Sequence, residues 1–326
     1  VRTFALALIL ALVPAAQAER PKKIVLIAGP LDSHPKDSHE YERNIVLLKH
    51  CIETSPTFKG ARVEIHFNGW PADPATLDDA DTIFMTSGGC DHKLEDHPLY
   101  VGDHLQVLER QMKRGCGVLF HHWSTFHPAK HHDLITEMVG GYFDYETGPA
   151  PRKWYSKIET RDFTTAIGAP DHPIARGVKP FPVKEEFYFN LKFRDEDPRL
   201  SPILLCREGD VRPNTVAWAV ERKDGGRGFG FTGGHFYANW WLPNFRRLVL
   251  NAIAWTAKID VPAGGVESTL QDPVRALILT GHNHPAHDWR ATTAALIHVL
   301  EQDPRMKVEV TETPESLAKL DAVDLL

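Results

Sequence analysis

The stretch Gly115 to Phe126, GCGVLFHHWSTF, decides how this chain is read. Glycines 115 and 117 precede an apolar run, Val118-Leu119-Phe120, which leads straight into His121 and His122. A short apolar strand bounded by glycine is the pattern of a central strand in a parallel sheet, buried on both faces. Open α/β sheets place their ligands just beyond the carboxyl ends of such strands, so the two histidines fall at a rim where chemistry is expected. Adjacent strand residues point to opposite faces, so only one of the pair need be functional.

Working outward, the surrounding segments share one grammar. Upstream lie a strand at Lys23–Gly29, helical spacing at Ile45, Leu48 and Ile52, a strand at Val63–Phe67 and a strand at Thr82–Met85 that ends in Ser87-Gly88-Gly89. A helix over Val101–Arg114, with Leu105, Leu108 and Met112 on one face, precedes the central strand. This alternation implies a doubly wound parallel sheet. After Gly140-Gly141 come strands with short connections at Lys157–Thr160, Glu186–Phe189, Ile203–Cys206, Val216–Val220 and Gly228–Thr232, then a helix over Asn244–Lys258. The sheet is therefore expected to carry additional C-terminal strands.

The 326 residues suffice for a sizeable core, and a formal net charge of −6 argues against non-specific nucleic-acid binding. The opening VRTFALALILALVPAAQAER reads as a secretory signal over residues 1–18, with an apolar core too short to span a bilayer and an Ala16-Gln17-Ala18 cleavage site. Export to the periplasm or beyond is the expectation, with no membrane span once the signal is removed. Such a compartment permits disulfides among Cys51, Cys90, Cys116 and Cys206, although no C-x-x-C pair is present.

Residues 259–273, rich in Pro and Gly, read as a linker, and beyond them the chain begins again. Arg275–Gly281 has the character of the first strand, His287-Asp288-Trp289 matches His39-Glu40-Tyr41, and Val308-Glu309-Val310 matches Val63-Glu64-Ile65. Residues 274–326 are thus expected to be the truncated start of a second domain like that of residues 23–258, and the chain a fragment of a longer tandem protein.

Polar clusters follow several of these strands: His34 and His39, then Ser87-Gly88-Gly89 with His92, then His121 and His122, then His235; Glu185-Glu186 enters another strand. Imidazole serves as general acid, general base or metal ligand. Three histidines and a carboxylate could hold zinc or another divalent ion with an open position. No H-E-x-x-H motif occurs, and Gly29-Pro30 does not continue as G-x-G-x-x-G, so no nucleotide cofactor is expected. Gly88 and Gly89 could cradle an anion through backbone N–H groups. Aromatics beside polar groups suit sugar rings, and Phe236, Tyr237 and Trp240, next to His235, are candidates for a pocket wall. Cys90 is a candidate thiolate nucleophile.

The ordered set of the His-Glu-Tyr turn at 39–41, Gly115–His121, Gly140-Gly141-Tyr142-Phe143, Asp171-His172-Pro173-Ile174, Glu185-Glu186-Phe187-Tyr188, Val216-Ala217-Trp218, Gly233-Gly234-His235 and Asn251–Trp255 resembles the ThuA-like (trehalose utilisation) domain family. The resemblance implies a flavodoxin-like, class I glutamine amidotransferase-like fold and a role in sugar catabolism, on keto-sugars or glycosides. It puts His121 where amidotransferases carry a cysteine nucleophile, which counts against glutamine hydrolysis. It implies His39, Glu186 and His235 as the other family-matched polar positions. From their chemistry His121, His39, His235 and Glu186 are the catalytic candidates, with His39, His121 and His235 as acid/base groups or candidate metal ligands. His122, Gly88, Gly89, Phe236, Tyr237 and Trp240 then become substrate-binding candidates. An exported enzyme acting on a small carbohydrate as hydrolase, lyase or isomerase is expected; the alternative is a non-catalytic carbohydrate-binding module.

Overall fold

The structure, a computed structural model, describes residues 20–207, 213–271, 273–281, 286 and 288–326. The leader expected at 1–18 and His287 of the repeat lie outside the described residues. The chain runs β1 (Lys23–Ala28), α1 (Tyr41–Thr54), β2 (Arg62–His66), β3 (Thr82–Thr86), α2 (His104–Lys113), β4 (Gly117–His121), α3 (His132–Val139) and β5 (Gly141–Tyr142). It continues through β6 (Lys157–Ile167), β7 (Pro182–Phe189), β8 (Lys192–Phe193), β9 (Leu200–Arg207), β10 (Pro213–Glu221), β11 (Arg227–Phe231) and α4 (Pro243–Thr256). Last come β12 (Val274–Leu279), α5 (Trp289–Leu300) and β13 (Met306–Thr311).

One sheet of nine strands, in the order β2-β1-β3-β4-β11-β10-β9-β6-β7, organises the molecule. The first five strands are parallel and the rest add on in antiparallel fashion, so the doubly wound sheet with additional strands is what forms. Strand alternation sorts the core into two faces. Ile24, Leu26, Phe84 and Leu119 pack with α1 and α4, whereas Val25, Ile27, Val118 and Phe120 pack with α2 and α3. Both faces of β4 are covered, which is why its sequence shows an unbroken apolar run.

The later strands are longer than expected because pairing partners extend them past their apolar centres: β6 runs for 11 residues. Its first part pairs with β7 and its last three residues pair with β9. That division swings β7 back toward the end of β11, where the Tyr188 N–H donates to Thr232 Oγ1 at 3.3 Å. Helix α2 starts three residues later than its pattern suggests, after Gly102 takes a left-handed φ of +55°.

Residues 259–271 are not a free tether. Val261 and Val266 are buried, the Val266 N–H donates to Asn251 Oδ1 at 2.7 Å, and Arg246 Nε donates to Ser268 Oγ at 2.8 Å, all against α4. The final segment pairs β12 with β13 in parallel, and Ala276 bridges Leu325 on the other side of β12. Arg43 and Tyr237 of the main body donate to the carbonyls of Met306 and Pro304 at 3.1 Å each, which seats the segment beside α1.

Candidate functional site

Three loops and one strand meet at the carboxyl rim of the parallel strands. The loop after β1 carries Asp32, His34 and His39; the turn after β4 carries His122; the loop after β11 carries His235; and β7 contributes Glu186 and Tyr188. Side-chain donor atoms of His39, His122, Glu186 and His235 all lie within 4.8 Å of one another.

Local structure explains the convergence. Strand geometry ends at His121, which still pairs with Thr86 and Phe231. His122 then takes a left-handed φ of +56°, a conformation costing a non-glycine residue on the order of 1–3 kcal/mol. The turn is held by Ser124 Oγ, which accepts from the His121 N–H at 2.9 Å, and by Thr125 Oγ1, which donates to the His122 carbonyl at 2.6 Å. The loops bearing His39 and His235 are laced together by main-chain bonds. The His39 N–H donates to the His235 carbonyl at 3.1 Å, and the Tyr237 N–H to that of Asp37 at 2.9 Å. Glu185, fully buried, grips the second loop by accepting from the N–H groups of Gly234 and His235 at 3.0 Å each and from Asn239 Nδ2 at 2.9 Å. Burial pushes the Glu185 carboxyl up to about 7, against the pull of these donors.

Within the cluster, His39 Nε2 is 3.0 Å from His235 Nδ1 and 3.2 Å from His122 Nε2. Glu186 Oε1 is 3.6 Å from His235 Nδ1 and 3.9 Å from His122 Nε2. The opposite nitrogens are anchored. His122 Nδ1 donates to the Thr232 carbonyl at 2.7 Å, and His39 Nδ1 faces Tyr41 Oη at 2.8 Å and Asp32 Oδ2 at 3.3 Å. Tyr188 Oη stands 3.0 Å from His122 Nε2, and His34 stacks on His39 with ring centroids 3.6 Å apart. Burial lowers the imidazoles of His39 and His122 below the ordinary range and that of His235 to about 4, so all three are neutral at pH 7. Burial acts to raise the Asp32 carboxyl, but hydrogen bonds from His39, Tyr41 and His34 hold it well below the usual carboxylate range.

The structure corrects the choice between the paired histidines. His121, not His122, points away from the rim. Its ring lies under the sheet beside Phe84, Phe231 and Trp240, with Nδ1 3.2 Å from Thr86 Oγ1 and Nε2 buried with no partner among the described residues. Pairing on both sides keeps His121 in the strand, so alternation sends it to the face covered by α4, while His122 turns out of the strand. As a candidate metal ligand His121 is therefore replaced by His122. His39, Glu186 and His235 are brought together as expected.

The proposed pocket wall also changes. Trp240 is fully buried and donates to Asn44 Oδ1 at 2.7 Å, and Tyr237 is buried beneath the Arg43 guanidinium, 3.9 Å above its ring. Only Phe236 stays beside the cluster, its ring 4.6 Å from that of His235. Gly89 makes room for a neighbour rather than presenting a cradle: a Cβ there would sit 2.4 Å from Trp123 Nε1. That space lets Trp123 pack edge-on against His34 and His39, with its indole N–H donating to Asp91 Oδ1 at 2.9 Å. Gly88 is buried near the Asp96 carbonyl.

Cys90 is buried with its thiol pushed up to about 12, so it is no thiolate nucleophile, and all four cysteines are free. Asp32, Tyr41, Trp123 and Tyr188 are the contributors that motif reading missed. Tyr41 and Tyr188 stood inside recognisable motifs, but nothing in their spacing told a phenol facing the rim from one in the core.

The ThuA family model, described as trehalose utilisation, matches residues 71–256. Among solved structures, a ThuA-like protein from Bacteroides uniformis superposes with a TM-score of 0.52 at 14% identity, covering 77% of this chain and 98% of that one. A cytoplasmic protein from Salmonella typhimurium gives a TM-score of 0.46 at 13% identity, covering 72% and 98%. A glutamine amidotransferase from Thermotoga maritima gives 0.38 at 10% identity, covering 74% and 87%. No curated relative matches the sequence.

Proposed function

Because the chain belongs to the ThuA (trehalose utilisation) family, we propose that it is a carbohydrate-active enzyme whose chemistry is carried by His39, His122, His235 and Glu186. The observation that carries the reading is the meeting of these four side chains, from four separate elements, at one rim of the sheet. Neutral imidazoles and a carboxylate suit removal of a proton from a carbon beside a sugar carbonyl, because the carbonyl acidifies that C–H bond. In such a step Glu186, the most exposed of the four side chains, takes the proton and the C–H electron pair moves into an enolate. Reprotonation at the neighbouring carbon gives isomerisation. Expulsion of the oxygen substituent on the next carbon, which takes a proton as it leaves, gives glycosidic cleavage. Tyr188, whose phenol burial keeps protonated, stands where it can supply such a proton.

The test is to incubate the full chain with a keto-disaccharide in D2O and follow it by NMR. Deuterium entry beside the carbonyl, or release of the leaving sugar, is expected to fall about 100-fold or more in Glu186→Gln, the range for loss of a general base. Equal turnover by wild type and Glu186→Gln overturns the assignment. A second reading, sugar binding without chemistry, is favoured by a groove of about 1000 Å3 lined by Trp154, Tyr155, Glu159 and Asn190. Trp154 is 37% exposed there. This reading expects saturable sugar binding unaffected by the histidine substitutions.

Two further parts of the proposal concern the whole protein. The signal-like character of residues 1–18 supports export. A tandem arrangement is supported by the likeness of β12-α5-β13 to β1-α1-β2. In both, the first strand pairs in parallel with the second, and a later segment joins its other edge.

A further inference from the structure

We infer that His39, His122 and His235 form a binding centre for one divalent transition-metal ion of the zinc type, with Glu186 beside its open side. The ion's role in catalysis rests on the carbohydrate reading above; its binding does not.

Proton counting is the first argument. His122 Nδ1 faces a carbonyl oxygen, which only accepts, so the ring proton sits there and Nε2 is bare. Tyr41 Oη donates to Asp32 Oδ2 at 2.6 Å, which leaves its oxygen to accept from His39 Nδ1. His39 Nε2 is then bare as well. These two bare nitrogens face one another at 3.2 Å, and His235 Nδ1 comes within 3.0 Å of the same His39 atom. A proton on His235 could satisfy the second contact, and the Tyr188 hydroxyl can reach His122 Nε2. Neither places positive charge between His39 and His122. A cation in the hollow does.

Spacing is the second argument. Nitrogens held about 2.0–2.1 Å from one ion lie about 3.3 Å apart in a tetrahedron and about 2.9 Å apart in an octahedron. The observed 3.0 and 3.2 Å fall between these values.

The same outer partners carry a third sign. Metal-bound histidines characteristically donate their second N–H to a carboxylate or a backbone carbonyl, which fixes the ring and raises its basicity. His39 does so toward the Asp32–Tyr41 pair, and His122 toward Thr232. Asp32 is thereby committed. Its Oδ2 accepts from Tyr41 and faces His39, and its Oδ1 faces His34 Nδ1 at 2.8 Å. Asp32 thus acts on the centre through His39.

Donor chemistry selects the ion. Imidazole nitrogens suit zinc, iron, nickel or copper, whereas calcium and magnesium prefer oxygen ligands throughout. Access is graded: the side chains of His122 and His39 are 1% and 3% exposed, those of His235 and Glu186 14% and 17%. An ion and a substrate oxygen would enter from the Glu186 side. A hydroxyketone, with carbonyl and hydroxyl on adjacent carbons, is the substrate class able to chelate it there.

The test uses the full chain and metal alone. Protein stripped with a chelator is titrated with Co2+, followed by its visible absorption, and the Zn2+ form is analysed for metal content. One ion per chain is expected. Loss of a ligand in His122→Ala or His235→Ala should weaken binding at least as much as the roughly 10–100-fold expected when the outer partner is changed in Asp32→Asn. His92→Ala, at an exposed side chain, should bind like wild type. Circular dichroism checks folding, and the change at partly exposed His235 decides the matter if His122→Ala does not fold. Wild-type protein that takes up no stoichiometric ion, or folded His235→Ala that binds as tightly as wild type, overturns the inference. Metal bound with no turnover of keto-sugars leaves the centre standing and defeats the substrate reading instead.

Discussion

Acidification should destabilise the fold through a histidine that never touches the cluster. His97 is fully buried; its Nδ1 accepts from the Leu99 N–H at 3.2 Å and its Nε2–H donates to the Ser124 carbonyl at 2.9 Å. It therefore ties the loop after β3 to the turn that bears His122, and it does so as a neutral ring. Burial lowers it to about 4 from an ordinary 6.5. For a base whose folded pKa is depressed, the unfolded chain takes up the proton first. The stability is complete above pH 6.5 and is lost as pH falls toward 4. Over that window the loss from this one group is about 3 kcal/mol, of which about 2 kcal/mol falls between pH 7.5 and 5. His97→Asn retains an acceptor for Leu99 but strands the Ser124 carbonyl and gives up ring contacts with Phe120, Tyr100 and His127. At pH 7.5 it should cost about 1–3 kcal/mol. It should also remove the titration, so its further loss on going to pH 5 is about 2 kcal/mol smaller than that of wild type. Urea unfolding of both proteins at the two pH values reads this directly. Stability curves that stay parallel across the pH change refute the assignment of a neutral buried His97.

Other perturbations test the site's supports. Gly234→Ala places a Cβ 2.2 Å from His121 Cε1 at a φ of +122°, so it should lower the urea midpoint and displace His235, with turnover falling more than stability alone explains. A mild alkylating agent should leave native activity unchanged, because burial pushes all four thiols up to about 12. Mass spectrometry should find four modified cysteines only after unfolding, and rapid labelling of Cys90 in the native state would contradict its burial.

Much of the sheet could be read from the sequence because its cause is local. A strand covered on both faces must be apolar throughout, so β1, β3 and β4 announced themselves, and their alternation with helices fixed the parallel half. The bend of β6 was not visible in this way. Its first part is mostly exposed or half-buried, with Phe163 alone buried among Lys157–Thr164, and nothing local says that β7 will return to the end of β11. The site inherits this division. His39, His235 and Glu186 were found by their positions in motifs, whereas Tyr188 and Asp32 enter through tertiary geometry.

The adjacent pair His121-His122 marks where sequence reasoning stops and why. Alternation requires the two rings to part company, but which one faces the rim depends on where strand pairing ends. That is set by partners distant in the chain, since His121 is still paired with Thr86 and Phe231. One residue fewer of pairing would have turned His121 out of the strand. The strained φ of His122 is thus the consequence of a register fixed by the apolar core, and the Ser124 and Thr125 hydroxyls help hold it. The strain is tolerated because the same turn seats its imidazole between Thr232 and Tyr188 and against His39. A turn straightened to relieve it would lose those three contacts at once, so the strained backbone and the convergent cluster are one feature, held in place from the core outward.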